Sequence, residues 1–501
     1  MTDAGDGWEL LLADLEVRQA AARSMGGAES LARQREGDRL DARARIEHLL
    51  DEGSFREIGV HTGSVGAGMS PVAPADAFIA GHGLVRGRPV MVGAEDFSVM
   101  AGSIGGGTSA KRHRLAQLAE QEQVPLVMLL EGAGERSQNA FERMPHAPND
   151  FQALVRIRGL VPTVSVVMGV SAGLSALTAP LTDFTIMVRG ASMFTAGPPV
   201  VTAVTGEEVS RDELGGTALH STRSGVAHAL ASDDRQALDL VRAYLSYFPS
   251  NATLPVPSVA SADGERILGE ILDLLPADPR VSYDVVPIVE SLLDCESMLE
   301  VQCDFGSAIV TALGRLGGTS VAVVANNPSV LAGAIDRDAA DKATHFLEVV
   351  GAFGLPVVFL ADTPGLAVGA SAEASGILRA AVRMFEAQAN VRGPKLHVTL
   401  GKAYGFGAAL MAMNPFDSQT TSLALPGARI GAMPAETGSD AAGAEADVRA
   451  LLEHADLGGA YAVADRMSYD DVIDPRQLRN ELLRALGLTS ARRSGDGAAT
   501  R

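Results

Sequence analysis

One pentapeptide has the spacing of a nucleophilic serine. Gly169-Val170-Ser171-Ala172-Gly173 follows an apolar run, as the G-x-S-x-G elbow of serine hydrolases does. A second pentapeptide, Gly401-Lys402-Ala403-Tyr404-Gly405, keeps both glycines and carries Ala403 where Ser171 stands. What the two share is a backbone shape and not a hydroxyl. A glycine between a strand and a helix can take φ > 0 and turn backbone N–H groups toward a ligand. Two such donors make an oxyanion hole, each worth on the order of 3 to 4 kcal/mol in a transition state. Two chemistries are therefore open, a hydrolase using Ser171 or a pair of glycine turns acting as oxyanion sites. Close helix–strand packing is the plainer role for any one glycine.

Cationic chemistry is restricted, because Lys111, Lys342, Lys395 and Lys402 are the only lysines. None neighbours a methionine, so the Met-Lys-Met type of biotin attachment site is missing, and no G-x-x-x-x-G-K-[ST] phosphate loop for ATP exists. Lys111-Arg112-His113-Arg114 is the densest basic cluster. It either receives the phosphates of a nucleotide-like ligand or forms a solvated helix face. The formal net charge of -20 argues against nucleic acid or an anionic membrane as partner. Cys295 and Cys303 are the only cysteines, too few for a disulfide framework or a four-cysteine zinc ribbon, so no metal site is expected and a reducing cytoplasm is. The acidic start (Asp3, Asp6, Glu9) predicts no targeting signal, and no apolar run approaches the roughly 20 residues of a membrane span.

The elements that must position these residues occur twice. Gly83 corresponds to Gly314, Ser98 to Ser329, Lys111 to Lys342, Glu131 to Asp362 and Gly134 to Gly365, each 231 positions on. After a slip of one residue, Gly169 corresponds to Gly401 and Gly173 to Gly405. Short unalternating apolar runs, PVMVGAED, PLVMLLEG and TVSVVMGV in the first half and SVAVVANN, PVVFLADT and KLHVTLGK in the second, predict buried strands with helices between them. The scarcity of aromatics, 4%, beside 54 glycines suits such packing. The expected fold class is α/β with two duplicated domains, each offering a half-site beyond the carboxyl ends of its strands.

The expected organisation is an N-terminal helical extension over residues 1–25, a first domain over 26–255, a linker over 256–264, a second domain over 265–490 and a disordered tail over 491–501. The linker is expected from the aperiodic stretch FPSNATLPVPSVASADG.

Longer segments carry a family resemblance. EDFSVMAGSIG (95–105), LTDFTIMVRGASMFTAGPPVV (181–201), TGEEVSRDELGG (205–216), VVANNP (323–328), FLADTPG (359–365) and KAYGFGAALM (402–411) resemble the carboxyltransferase subunits of propionyl-CoA, acetyl-CoA and methylcrotonyl-CoA carboxylases, within the crotonase superfamily. The resemblance implies two crotonase-like domains, the N-terminal one binding acyl-CoA and the C-terminal one binding biotin. The active site would form between domains of different subunits, most simply in a homo-hexamer. It implies an acyl-enolate oxyanion pair at Gly173 and Leu174 and a biotin ureido pair at Phe406 and Gly407. Contacts to the coenzyme A thioester or to biotin would come from Lys111, Arg112, Gly134, Gly365, Tyr404 and Gly405. Partners would be a biotin carboxylase and a biotin carboxyl carrier subunit. In such chemistry carboxybiotin releases CO2, the biotin anion takes the α-proton and the enolate attacks CO2, so the protein stabilises oxyanions and positions reactants. A decarboxylase of the same fold and a non-catalytic scaffold are the alternatives.

The sequence departs from the family pattern at four places. Gly173-Leu174 stands for Gly-Gly, Tyr404-Gly405-Phe406-Gly407 for Tyr-Gly-Gly-Ala, Glu131-Gly132-Ala133-Gly134-Glu135-Arg136 for Asp-Ser-Gly-Gly-Ala-Arg, and Arg379-Ala380-Ala381 for Arg-His-Gly. A leucine at φ > 0 would be strained, so either the Leu174 peptide has ordinary dihedrals or the site has changed.

Overall fold

A computed structural model describes residues 4–63, 73–136, 150–278 and 280–489. The expected tail lies outside these residues. The chain divides into two compact units, Met1–Leu245 and Ser246–Arg501. The expected linker segment lies inside the second unit, where Val259 donates to Gly318 and Pro257 accepts from Ser320. The N-terminal stretch is helical over Ala4–Arg23 and Gly27–Gln34.

The first unit is built on one mixed sheet. Its strands are β1 (Arg56–Ile58), β2 (Phe78–Val85), β3 (Arg88–Glu95), β4 (Leu126–Gly132), β5 (Thr163–Ala172), β6 (Phe184–Val188), β7 (Ser192–Phe194) and β8 (Ala229–Ala231). Their order is β1-β2-β3-β4-β5-β6-β8, with β7 pairing the far end of β5. The second unit repeats the plan with β9 (Leu299–Val301), β10 (Ile309–Leu316), β11 (Thr319–Asn326), β12 (Val357–Thr363), β13 (Lys395–Tyr404), β14 (Thr421–Ala424), β15 (Arg429–Gly431) and β16 (Asp471–Val472). The order there is β16-β14-β13-β12-β11-β10-β9, with β15 on β13.

The predicted apolar runs are the central parallel strands. β4, β11 and β12 are buried at every position, because helices cover both faces of a parallel sheet and leave no solvent face to alternate toward. The hairpins were not read in advance: β2–β3 and β10–β11 pair antiparallel along their full lengths. The duplication extends to irregularities, since the β4–β5 register shifts between Leu130 and Gly132 and the β12–β13 register between Ala361 and Thr363.

Each sheet has its own core. Phe78, Leu115, Leu126, Met128 and Leu154 gather in the first unit, and Leu292, Val323, Val358, Leu396 and Val398 in the second. Burying one such side chain fully is worth roughly 1.5 to 3 kcal/mol. The cores hold the strand ends in place, and the candidate chemistry sits at those ends.

Candidate functional site: two matched strand-to-helix turns

β5 runs into the short helix Leu174–Thr178 through Gly173, and β13 runs into Gly405–Leu410. Gly173 and Gly405 both have φ +55, a conformation that L side chains rarely adopt. Opposite each turn lies the loop after the preceding strand. Gly134 has φ +82, and its carbonyl accepts from Ile104 at 2.8 Å. Gly365, 231 positions on, has φ +118, and its carbonyl accepts from Ile335 at 3.0 Å. A methyl group on Gly134 would lie 2.8 Å from the Ala172 carbonyl, so the loop and the first turn are in backbone contact.

The donors in the first turn differ from the expectation. The Gly173 N–H is engaged with the Phe194 carbonyl at 3.0 Å, because β7 pairs with the last residues of β5 and ends there. Gly173 therefore shapes the turn and does not point its own amide outward. The first intrahelical bond runs from Leu177 N–H to the Gly173 carbonyl, so the amides of Leu174 and Ser175 have no acceptor within the helix. Leu174 is the first helical residue and is not among the residues with φ > 0, which settles the alternative posed above in favour of ordinary dihedrals. In the second turn the helix begins at Gly405, and Phe406 and Gly407 occupy its second and third positions. Phe406 is 42% exposed, with its ring centroid 5.4 Å from that of Phe385. Gly407 is buried, and a methyl group there would lie 2.8 Å from Gly365 Cα. Tyr404 is buried at the end of β13.

Lys111 and Arg112 correct the expected phosphate contact, and the solvated-face reading as well. Both side chains turn inward from the helix Gly106–Glu122. Lys111 Nζ donates to the carbonyls of Ala75 and Phe78 at 2.8 and 2.7 Å, and burial pushes its ammonium down to about 8. Arg112 is 2% exposed and donates to Asp150, to Glu95 and to the Thr178 hydroxyl. Neither has a donor left facing solvent for a phosphate. Lys342, the counterpart of Lys111, is buried in the same way, donates to the Gln302 carbonyl at 2.8 Å and is also pushed down to about 8.

Ser171 is a strand residue opposite Gly132 on one side and Met193 on the other. Its hydroxyl is buried without a hydrogen-bond partner among the described residues, and none of these places a base to activate it.

The acids beneath the turns were not singled out beforehand. Glu131, at the end of β4, accepts from Gln34 at 2.8 Å, from Arg45 at 2.6 Å and from Arg39. Arg45 also donates to Asp234 at 2.9 Å. Asp362, at the same place in the second unit, takes Lys402 Nζ and the Tyr283 hydroxyl, each at 2.8 Å. These carboxylates account for the first glycine of each pentapeptide: a methyl group would fall 2.2 Å from Glu131 Oε1 at Gly169 and 2.3 Å from Asp362 Oδ2 at Gly401. The visible signal was an acid conserved in type across the duplication within an otherwise apolar strand.

Residues 33–496 match the carboxyl transferase domain family. The chain belongs to that family. This carboxyl transferase is 35% identical over 496 residues to the propionyl-CoA carboxylase carboxyltransferase subunit of Haloferax mediterranei, covering 96% of each chain. It is 34% identical over 482 residues to the methylmalonyl-CoA carboxyltransferase 12S subunit of Propionibacterium freudenreichii subsp. shermanii, covering 93% of this chain and 92% of that one. It superimposes with a TM-score of 0.91 and 32% identity on transcarboxylase 12S, a hexamer assembly solved with hydrolysed methylmalonyl-coenzyme A bound, covering 96% of this carboxyl transferase and 95% of that chain. The α/β class with two duplicated domains expected from the repeat, crotonase-like by the resemblance, is the class of these structures. Among the described residues of this carboxyl transferase, no helix is long and apolar enough to cross a membrane.

Proposed function

We propose that this carboxyl transferase moves a carboxyl group between carboxybiotin, delivered on a separate carrier protein, and the α or vinylogous carbon of an acyl-CoA thioester. The observation that carries the reading is the repeated turn, with Gly173 and Gly405 both at φ +55, each facing a glycine loop of the same kind. A single turn would suffice to polarise one carbonyl. Two matched turns suit a reaction in which two carbonyl oxygens gain charge in alternation. Bound carboxybiotin supplies the activated carboxyl group. The amides of Leu174 and Ser175 hold the enolate oxygen of the thioester, and those of Phe406 and Gly407 hold the ureido oxygen. No side-chain nucleophile is required. The exposed Phe406 ring, backed by Phe385, offers an apolar wall beside the second turn.

The reading extends to a homo-hexamer acting in the cytoplasm with a biotin carboxylase and a biotin carboxyl carrier subunit. Its support is the relatives' names and the hexameric transcarboxylase 12S. The test is co-purification with a biotinylated protein, then incorporation of labelled bicarbonate across acetyl-, propionyl-, butyryl- and methylcrotonyl-CoA. Label in at least one acyl-CoA is the expected result. Release of CO2 from carboxylated esters with none transferred to biotin would replace the reading by a decarboxylase.

A further inference from the structure

A single buried carboxylate ties together both walls of the first turn. Glu95 closes β3 and is fully buried. Its Oε2 accepts the Ser175 hydroxyl at 2.6 Å and the Glu131 backbone N–H at 2.8 Å, and its Oε1 accepts Arg112 at 3.1 Å. Arg112 in turn donates to the Thr178 hydroxyl, and Thr178 donates to the Leu174 carbonyl at 2.9 Å. The helix Leu174–Thr178 is thus held at its second residue by the acid and at its last residue by the base of one buried ion pair. The same acid grips β4 three residues before the Gly134 loop.

Such a pair is a poor device for stability alone, since desolvating both charges offsets most of their attraction. Its geometry is better suited to fixing direction. A helix of five residues has little rigidity of its own. In the second unit the corresponding residues are Asn326, Ala343, Gly407 and Leu410, so the ion pair and both hydroxyls are replaced. What persists there is the bond from the Asp362 N–H to Asn326 Oδ1 at 3.2 Å.

We infer that Glu95, Arg112, Ser175 and Thr178 form a latch that aims the amides of the first turn, acting as positioning residues for the acyl side of the reaction. This rests on the carboxyl-transfer reading above. A hydroxyl lost from the latch frees the short helix to rotate while leaving the thioester's remaining contacts in place, so turnover falls and binding does not. A misplacement on the order of 1 Å costs about a hundredfold in rate.

The experiment uses the full chain and measures carboxyl transfer from malonyl-, methylmalonyl-, ethylmalonyl- or 3-methylglutaconyl-CoA to free biotin, with kcat and KM for the CoA ester and the melting temperature recorded for each protein. Ser175→Ala and Thr178→Val each remove one hydroxyl, and Thr178→Ser keeps the hydroxyl while losing the methyl group. The expected result is a fall in kcat of about tenfold to a hundredfold in Ser175→Ala and Thr178→Val, with KM changed less than about threefold and Thr178→Ser closer to wild type than Thr178→Val. Variants that keep kcat within about twofold, a loss confined to KM, or Thr178→Ser falling below Thr178→Val would each overturn the latch. A wild type inactive with all four esters would bring down the carboxyl-transfer reading itself, whereas an active wild type with unaffected variants defeats only the latch.

Discussion

The two turns share a backbone and differ in what lies beneath. In the first unit Glu131 faces two arginines and a glutamine, and Glu95 with Arg112 clasps the helix after the turn. In the second, Asp362 faces one lysine and a tyrosine, and neutral Asn326 stands in place of Glu95. The φ of +55 at Gly173 and Gly405 survived every one of these changes. Backbone geometry and its buried polar support can therefore diverge separately, as expected when the ligand meets amides and not side chains. Burial pushes the Glu95 carboxyl above its ordinary range even though Arg112 and Ser175 pull it down, so the first support carries a cost that the second avoids.

The comparison is broken most severely at position 407. Ser175 carries a side chain with room for it, whereas any Cβ on Gly407 meets Gly365 Cα at 2.8 Å. Gly407→Val should lower carboxyl transfer by a factor of order a hundred or more, measured with free biotin as acceptor. A tolerated valine in a folded oligomer would show that the second turn does not need its close approach.

The acids come next. Glu131→Gln leaves Asp234 as the one carboxylate on buried Arg45 and should destabilise the first unit by about 1 to 3 kcal/mol in urea unfolding. Asp362→Asn should cost less, because Lys402 is 15% exposed at its side chain against 1% for Arg45 and can turn to solvent. Equal losses would mean that the two supports are energetically alike despite their different residues.

Lys111 and Lys342 sharpen the likeness instead. Both ammonium groups fall to about 8 from an ordinary 10.5, so between those values the unfolded chain holds protons that the native chain has released. Stability contributed by each lysine should rise with pH across that window, the burial cost being fully present below pH 8. Urea unfolding of wild type against Lys111→Met and Lys342→Met should show the wild type gaining up to about 3 kcal/mol per lysine between the two limits. A flat difference for one lysine alone would separate the two units.

The smallest effect is expected at Ser171→Ala, whose hydroxyl has no partner to lose among the described residues and whose counterpart is already Ala403. Carboxyl transfer should stay within about twofold of wild type, and only a collapse of turnover would restore a nucleophilic serine.

Much of this organisation was legible in the amino acids alone. Apolar runs without alternation marked β3, β4 and β5 and their copies, because strands buried on both faces have no need of polar positions. The 231-residue offset pairs Gly134 with Gly365, and the slipped offset pairs Gly173 with Gly405, so both turns are located by the amino acids alone. What remained hidden was the partner of each polar group. Arg112 looked like a phosphate ligand in a basic tetrapeptide, and it is instead enclosed by Glu95, Asp150 and Thr178. Gly173 looked like an oxyanion donor, and β7 takes its amide through Phe194. Local periodicity reports which side of an element is buried in apolar company, so it determined the strands, the duplication and the turns. Hydrogen-bond and charge partners are set by segments that meet only when the sheet closes, Arg112 with Thr178 across 66 positions and Ser175 with Glu95 across 80, and so only the tertiary structure could decide which groups stay free for chemistry.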